Sequence, residues 1–332
     1  MEREPIPEAA LQPGDILLCN IPTLSYLQYL RSLTKVLETY ARTRTFDLDA
    51  ATPLIHWIIG YLDEGHYFHA SFWNGAKLVE SRIKGGLREN DIATYAGDDV
   101  DVYRYRKDGQ GLGSPGLPVA PLLRKAQELV DRHWAYGFDS ARLLAILCVS
   151  RWHREEWVER LRDLLVRHAP SAQLGKKIEQ LFDEHRPRIA ALVERLLVLA
   201  LEVVRRHRHR QGYVCSQAVA VIYNEAGDAQ HAVGTYAITK PTGALRAAPL
   251  VLAAPPPTAD EAAACEHGIR DLAAELAKLP LPQATLLSAS DHGDYDTWQA
   301  DLRADTFYTP RDLAESSRTV LAGRLGPSHA GA

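Results

Sequence analysis

The chain has 332 residues, 46% of them hydrophobic and 24% charged, a composition that excludes whole-chain disorder, collagen and coiled coil and suits one large domain or two modest ones. A formal net charge of -4 and a pI near 6.4 leave no global electrostatic footprint for nucleic acid, and no nucleic-acid partner is expected. Cys19, Cys148, Cys215 and Cys265 lack C-x-x-C spacing and are too sparse for a disulfide framework, which points to a reducing compartment. The first ten residues, MEREPIPEAA, carry acids and prolines where a secretory signal needs a basic flank and an apolar run. The most apolar stretch, 189–204, is interrupted by Glu194, Arg195 and Glu202. The expectation is a cytoplasmic protein without a Sec signal or a transmembrane helix; export as an effector by a non-Sec route stays open.

In chain order, Leu11-Gln12-Pro13-Gly14-Asp15 is a turn and Ile16 to Cys19 a buried strand. Residues 23–62 have a helical period, with Leu24, Leu27, Leu30, Leu33 and Leu37 on one stripe and a second apolar piece from Ile55 to Leu62. From His66 to Glu80 two β-rich runs flank Asn74-Gly75, a hairpin signal of the kind in which both central residues take positive φ. With those two as the loop, counting sets Trp73 opposite Ala76, Ser71 opposite Leu78 and His69 opposite Glu80. A strand over Asp99 to Tyr105 follows, then a helix over 119–132, a break at Tyr136-Gly137-Phe138-Asp139 and a buried helix from Ser140 to Val149.

Residues 151–210 are rich in Arg, Glu, His and Leu and predict an inserted helical hairpin, with Trp157, Leu161, Leu164 and Leu165 on one stripe and Pro170 and Pro187 as breaks. It ends in Arg205-Arg206-His207-Arg208-His209-Arg210, a solvated helix end or, alternatively, a contact for phosphate or an anionic membrane surface. Gly212-Tyr213-Val214-Cys215-Ser216 opens an apolar helix that runs to Glu225 and closes at Ala226-Gly227. Strand-like pieces at 233–252, a linker at Pro255-Pro256-Pro257, a helix over 259–279, a short strand from Thr285 to Ser288 and a last helix with Thr309 as cap and Pro310 at its first position complete the chain. The domain expectation is one α+β unit over 11–320 with helical insertions at about 23–62 and 151–210.

A thiol attacks as thiolate, and the first turn of a helix favours that form through its unpaired N–H groups; Cys215 has that setting. An imidazole takes the thiol proton and later protonates the leaving group, while a carboxylate on its other nitrogen fixes the ring, and His69 with Glu80 supplies that pair. Each residue has a plainer reading, as a buried hydrophobe or a structural strand histidine; the conjunction of the three is what points to chemistry. His66 stands as an alternative base. A metal at Asp63, Glu64, His66 and His69 would lack the helical H-E-x-x-H spacing and the help of a cysteine pair, so neither metal nor cofactor is expected.

Pro13-Gly14-Asp15-Ile16-Leu17, His69-Ala70-Ser71 with Val79-Glu80, Tyr213-Val214-Cys215-Ser216 and Thr309-Pro310-Arg311-Asp312-Leu313 together resemble the circularly permuted papain-like cysteine hydrolases of the YiiX/YaeF amidase type, relatives of the NlpC peptidases and of lecithin:retinol acyltransferase. The resemblance implies a permuted papain-like core with an antiparallel sheet, Cys215 as nucleophile, His69 as base and Glu80 as orienting group. Tyr136 matches a tyrosine position of that family. Ser216 and Gln217, with Tyr136, are the candidate substrate or oxyanion residues, beside the backbone N–H of Cys215. Cleavage of a peptide, small-molecule or lipid amide, or of an ester, follows as the expected activity. A lipid acyltransferase or thioesterase at a membrane surface, using the amphipathic stretch 188–204, is one alternative, and a non-catalytic helical interaction module acting through 151–210 is another.

Overall fold

The computed structural model of this chain describes residues 5–20, 26–43, 67–82, 86–132, 157–167, 169, 171–207, 215–240, 258–279 and 308–326. The readings at His66, Tyr136 to Val149, Cys148, Pro255 to Pro257 and Thr285 to Ser288 lie outside those residues.

One sheet organises one half of the fold. Its strands are β1 (Pro5–Ile6), β2 (Ile16–Asn20), β3 (Tyr67–Trp73), β4 (Leu78–Arg82), β5 (Gly86–Asn90), β6 (Val100–Lys107), β7 (Gln110–Gly111) and β8 (Thr319–Leu325). They are ordered β1-β8-β6-β2-β3-β4-β5, with β7 paired to β6, and every pairing is antiparallel except β1 with β8. The α+β expectation therefore holds at the level of a mostly antiparallel sheet with helices. The sheet reaches beyond 11–320 at both ends, because β1 and the end of β8 pair with each other. Sequence reading missed β8, since Thr319-Val320-Leu321-Ala322-Gly323-Arg324-Leu325 has no clean alternation and becomes a strand by lying between β1 and β6.

The period of two assigns the faces. Ile16, Leu18, Ala70, Phe72 and Val79 point to one side, where they pack with α5 (Cys215–Glu225) and α2 (Ala120–Asp131). Leu17, Cys19, Trp73, Leu78, Val100 and Val102 point to the other, under Ile6, Leu11 and the short turn Ile92–Tyr95. The helix α5 is apolar on all sides because it is central: Ala218, Val219, Ala220, Val221, Ile222 and Tyr223 are all buried. Its Tyr223 hydroxyl donates to Gly14 O and stacks on Tyr105 at 5.3 Å. Gly14 needs φ of 95°, and a Cβ there would meet Leu112 Cδ1 at 2.4 Å.

The β3–β4 hairpin forms, with a different turn from the one counted. The connection is Gly75-Ala76: Gly75 alone takes positive φ, at 104°, while Asn74 Oδ1 accepts from the N–H groups of Ala76 and Lys77. Trp73 accordingly pairs with Leu78 instead of Ala76, a shift of two residues. A shift of two keeps every side chain on its face, so His69 and Glu80 remain on the same side although they are no longer directly opposite.

The second half of the described fold is helical. Here α1 (Tyr26–Thr43), α3 (Trp157–Arg167), α4 (Ala172–His207) and α6 (Ala259–Lys278) form a separate cluster in which Leu30, Leu37, Leu165, Leu174, Ile178, Phe182, Ile189, Cys265, Leu272 and Leu276 are buried. The inserted hairpin is present as α3 and α4. Pro187, expected to break it, lies inside α4 at an exposed position, while Phe182 and Ile189 of the same helix are buried in the cluster. Of the strand-like pieces expected over 233–252, residues 233–236 are turns, with Ile238 N–H donating to Asn224 Oδ1 and Tyr236 buried, and 241–252 lie outside the described residues. The last helix, α7 (Pro310–Ala314), begins as expected, Thr309 and Asp312 capping each other's N–H and Pro310 in the first turn. No helix among the described residues is long and apolar enough to cross a membrane.

Candidate active site

Three elements bring His69, Glu80 and Cys215 together. His69 sits beside a bulge: Cys19 pairs with His69, but the next partner of β2, Asn20, pairs with Tyr67, so Phe68 is the extra residue. Such an extra residue bends the strand and re-aims its side chains. Glu80 lies mid-strand in β4 and Cys215 is the first residue of α5.

His69 Nε2 lies 2.6 Å from Glu80 Oε2. Glu80 has no exposed surface, and a carboxylate removed from water is tolerated only when its lone pairs are occupied. Four groups occupy them. Oε2 receives His69 Nε2 and the Tyr95 hydroxyl at 2.8 Å; Oε1 receives Arg82 Nε and Asn90 Nδ2, each at 2.6 Å. Burial alone would raise this carboxyl, but the bonds and charges of His69 and Arg82, with the Asn90 bond, lower it from 4.5 to about 2. Glu80 is thus a fixed anion, and the ring nitrogen it holds carries a proton.

That leaves Nδ1 for the thiol. Cys215 is buried, which by itself pushes a thiol up; the charge and hydrogen bond of His69, then the N–H groups of Ala70 and Ser216, pull it below its ordinary value. Burial likewise pushes the imidazole down, and Cys215 and Glu80 together raise it well above the usual histidine range. Both directions favour the thiolate and imidazolium form of the pair. The Ala70 N–H is available to sulfur because the β3–β4 ladder ends at Phe72 and Val79, leaving the first half of β3 open on that side. Cys19, across β2 from His69, shows the contrast: burial and Asp98 push its thiol well up, and burial raises Cys265 also.

Ser216 and Gln217 serve the support of the site. The Ser216 hydroxyl donates to Tyr308 O at 2.8 Å, and Gln217 Oε1 accepts from Tyr308 N–H at 3.2 Å. They fasten the start of α5 to the segment leading into α7. Tyr136 lies outside the described residues. Arg82, Asn90 and Tyr95 were missed at the sequence level; Arg82 carried a signal, because it follows Glu80 by two and so shares its face. Among the described residues no group of three or more His, Cys, Asp or Glu could hold a metal ion.

Comparison with family models, with curated proteins and with solved structures finds no match in any of the three.

Proposed function

We propose that this protein is a cysteine hydrolase of the permuted papain-like type, cleaving an amide or ester bond through an acyl-thioenzyme. The observation that carries the reading is the His69 ring held between a fully bonded, buried Glu80 and a thiol at the start of a helix. The order of His69 before Cys215 and the four short motifs of the sequence support it.

In this mechanism Cys215 Sγ attacks the carbonyl carbon, a C–S bond forms and the carbonyl π pair moves to oxygen. The backbone N–H of Cys215, at the unpaired start of α5, donates to that oxyanion. The oxyanion collapses, His69 gives its Nδ1 proton to the departing nitrogen or oxygen, and the amine or alcohol leaves. Water then attacks the thioester carbonyl while Nδ1 takes its proton, and sulfur departs as thiolate with release of the acid. Glu80 accepts from Nε2 throughout and stays ionised.

Labelling of each cysteine by iodoacetamide against pH, mapped by mass spectrometry in wild type and His69→Ala, tests the reading. Cys215 is expected to react well below the ordinary thiol pKa of about 8.5, and to lose that behaviour without His69, while Cys19 and Cys265 stay unreactive at neutral pH. A Cys215 inert in the folded protein, or one indifferent to His69, overturns the hydrolase and favours an interaction module.

A further inference from the structure

Glu80 is shared by two cations placed on opposite oxygens. Oε2 faces the His69 ring, and Oε1 faces Arg82 Nε at 2.6 Å. Arg82 is held in that position from a second direction, its guanidinium carbon lying 5.5 Å from the centre of the Tyr95 ring, and the Tyr95 hydroxyl bonds the same carboxylate. Its side chain is 31% exposed, whereas Glu80 is fully enclosed, so Arg82 reaches from solvent to a buried anion. A purely packing role would not require a charged fork aimed at this oxygen: Asn90 already donates to Oε1.

We propose that Arg82 is a positioning residue for His69: by holding and balancing Glu80 from the oxygen the imidazole does not use, it fixes the carboxylate plane and sets how strongly the imidazolium is stabilised. The inference rests on the cysteine-hydrolase reading. With Arg82 in place, the carboxylate divides its field between two cations. Without it, the whole of the Glu80 charge acts on the ring, and the ring loses a like charge from its surroundings. Both effects favour proton binding at His69, and removal of the same cation favours proton binding at Cys215. The other titratable or charged groups facing this set are Cys19 from β2, Arg88 from β5, which pairs with Glu80 across the ladder, and Tyr95 from the turn before β6, with Asp98 against Cys19; the shifts of Cys19 and Tyr95 are upward, so both are neutral while the pair titrates.

The test is the pH profile of Cys215 alkylation, with unfolding by urea measured beside it, for wild type, Arg82→Met and Arg82→Lys. Arg82→Met is expected to move the profile to higher pH by roughly one unit, and Arg82→Lys, which returns the charge, to restore most of the shift. An unchanged profile in a folded Arg82→Met protein overturns the proposal, as does an Arg82→Lys protein displaced as far as Arg82→Met. If the hydrolase reading itself is wrong, the wild-type profile already lacks the low-pH reactivity, which separates the two failures. Should Arg82→Met not fold, Arg82→Lys and Arg82→Gln decide the matter between them, the first near wild type and the second shifted.

Discussion

The two halves of the described fold bury different things. In the helical cluster of α1, α3, α4 and α6, the side chains removed from water are almost all aliphatic, and His185 is the buried polar exception among the described residues. Around the sheet, Asp15, Ser71, Glu80, Ser81, Asp101, Ser216, Thr309, Asp312 and Ser316 are all buried. An apolar core stabilises for little else than being packed, whereas a buried polar group is a cost unless it is bonded. The helical half is therefore built for stability and the sheet half for geometry, and a carboxylate enclosed as completely as Glu80 marks where that geometry is needed.

The comparison breaks most sharply at Glu80. Glu80→Gln removes the charge that faces Arg82 and His69, and we expect a loss of stability of about 3 kcal/mol or more together with loss of the low-pH reactivity of Cys215. Urea unfolding and alkylation of the same samples check both. The pH dependence follows with a definite sign. The Glu80 carboxyl is lowered from 4.5 in the unfolded chain to about 2 in the fold, so its stabilisation is complete above pH 4.5 and is lost as the pH falls from there towards 2. Unfolding free energies at pH 5 and pH 3 are expected to differ in wild type, by at most about 3 kcal/mol from this group, and to differ less in Glu80→Gln.

Leu272→Ala probes the other half. Leu272 is buried in the helical cluster, and truncation is expected to cost about 2 to 5 kcal/mol while leaving the alkylation profile of Cys215 unmoved. A shift of that profile would show the halves coupled and would erase the distinction. The smallest expected effect is at the join between α7 and the site: Thr309→Ala removes one partner of the Thr309–Asp312 cap, at about 1 kcal/mol, read as a lower urea midpoint with an unchanged slope.

Much of the sheet half was legible because its signals are local. Thr309-Pro310 with Asp312 two residues on is a helix start wherever it occurs, and Cys215 falls at the head of an apolar run that can only be central. The hairpin was legible in its existence and faces but not in its turn. Asn-Gly permits two central pairs, and the choice fell to the Asn74 side chain, which accepts from Ala76 and Lys77 and moves the loop one residue along. The helical half was legible as helices, yet nothing in the sequence linked α6, far along the chain, to α1 and the inserted hairpin.

By itself, then, the sequence determined the alternation that puts His69 and Glu80 on one face, the helix that starts at Cys215 and the caps and turns around them, because these depend on residues within a few positions of one another. Only the tertiary structure decided the rest: the bulge at Phe68 that aims His69, the open edge that leaves Ala70 N–H for the sulfur, the convergence of Arg82, Asn90 and Tyr95 on one carboxylate, and the strand after α7 that closes the sheet against Pro5–Ile6. Those features depend on which distant segments meet, and burial, which sets the cost of every unbonded polar atom, exists only once they have met.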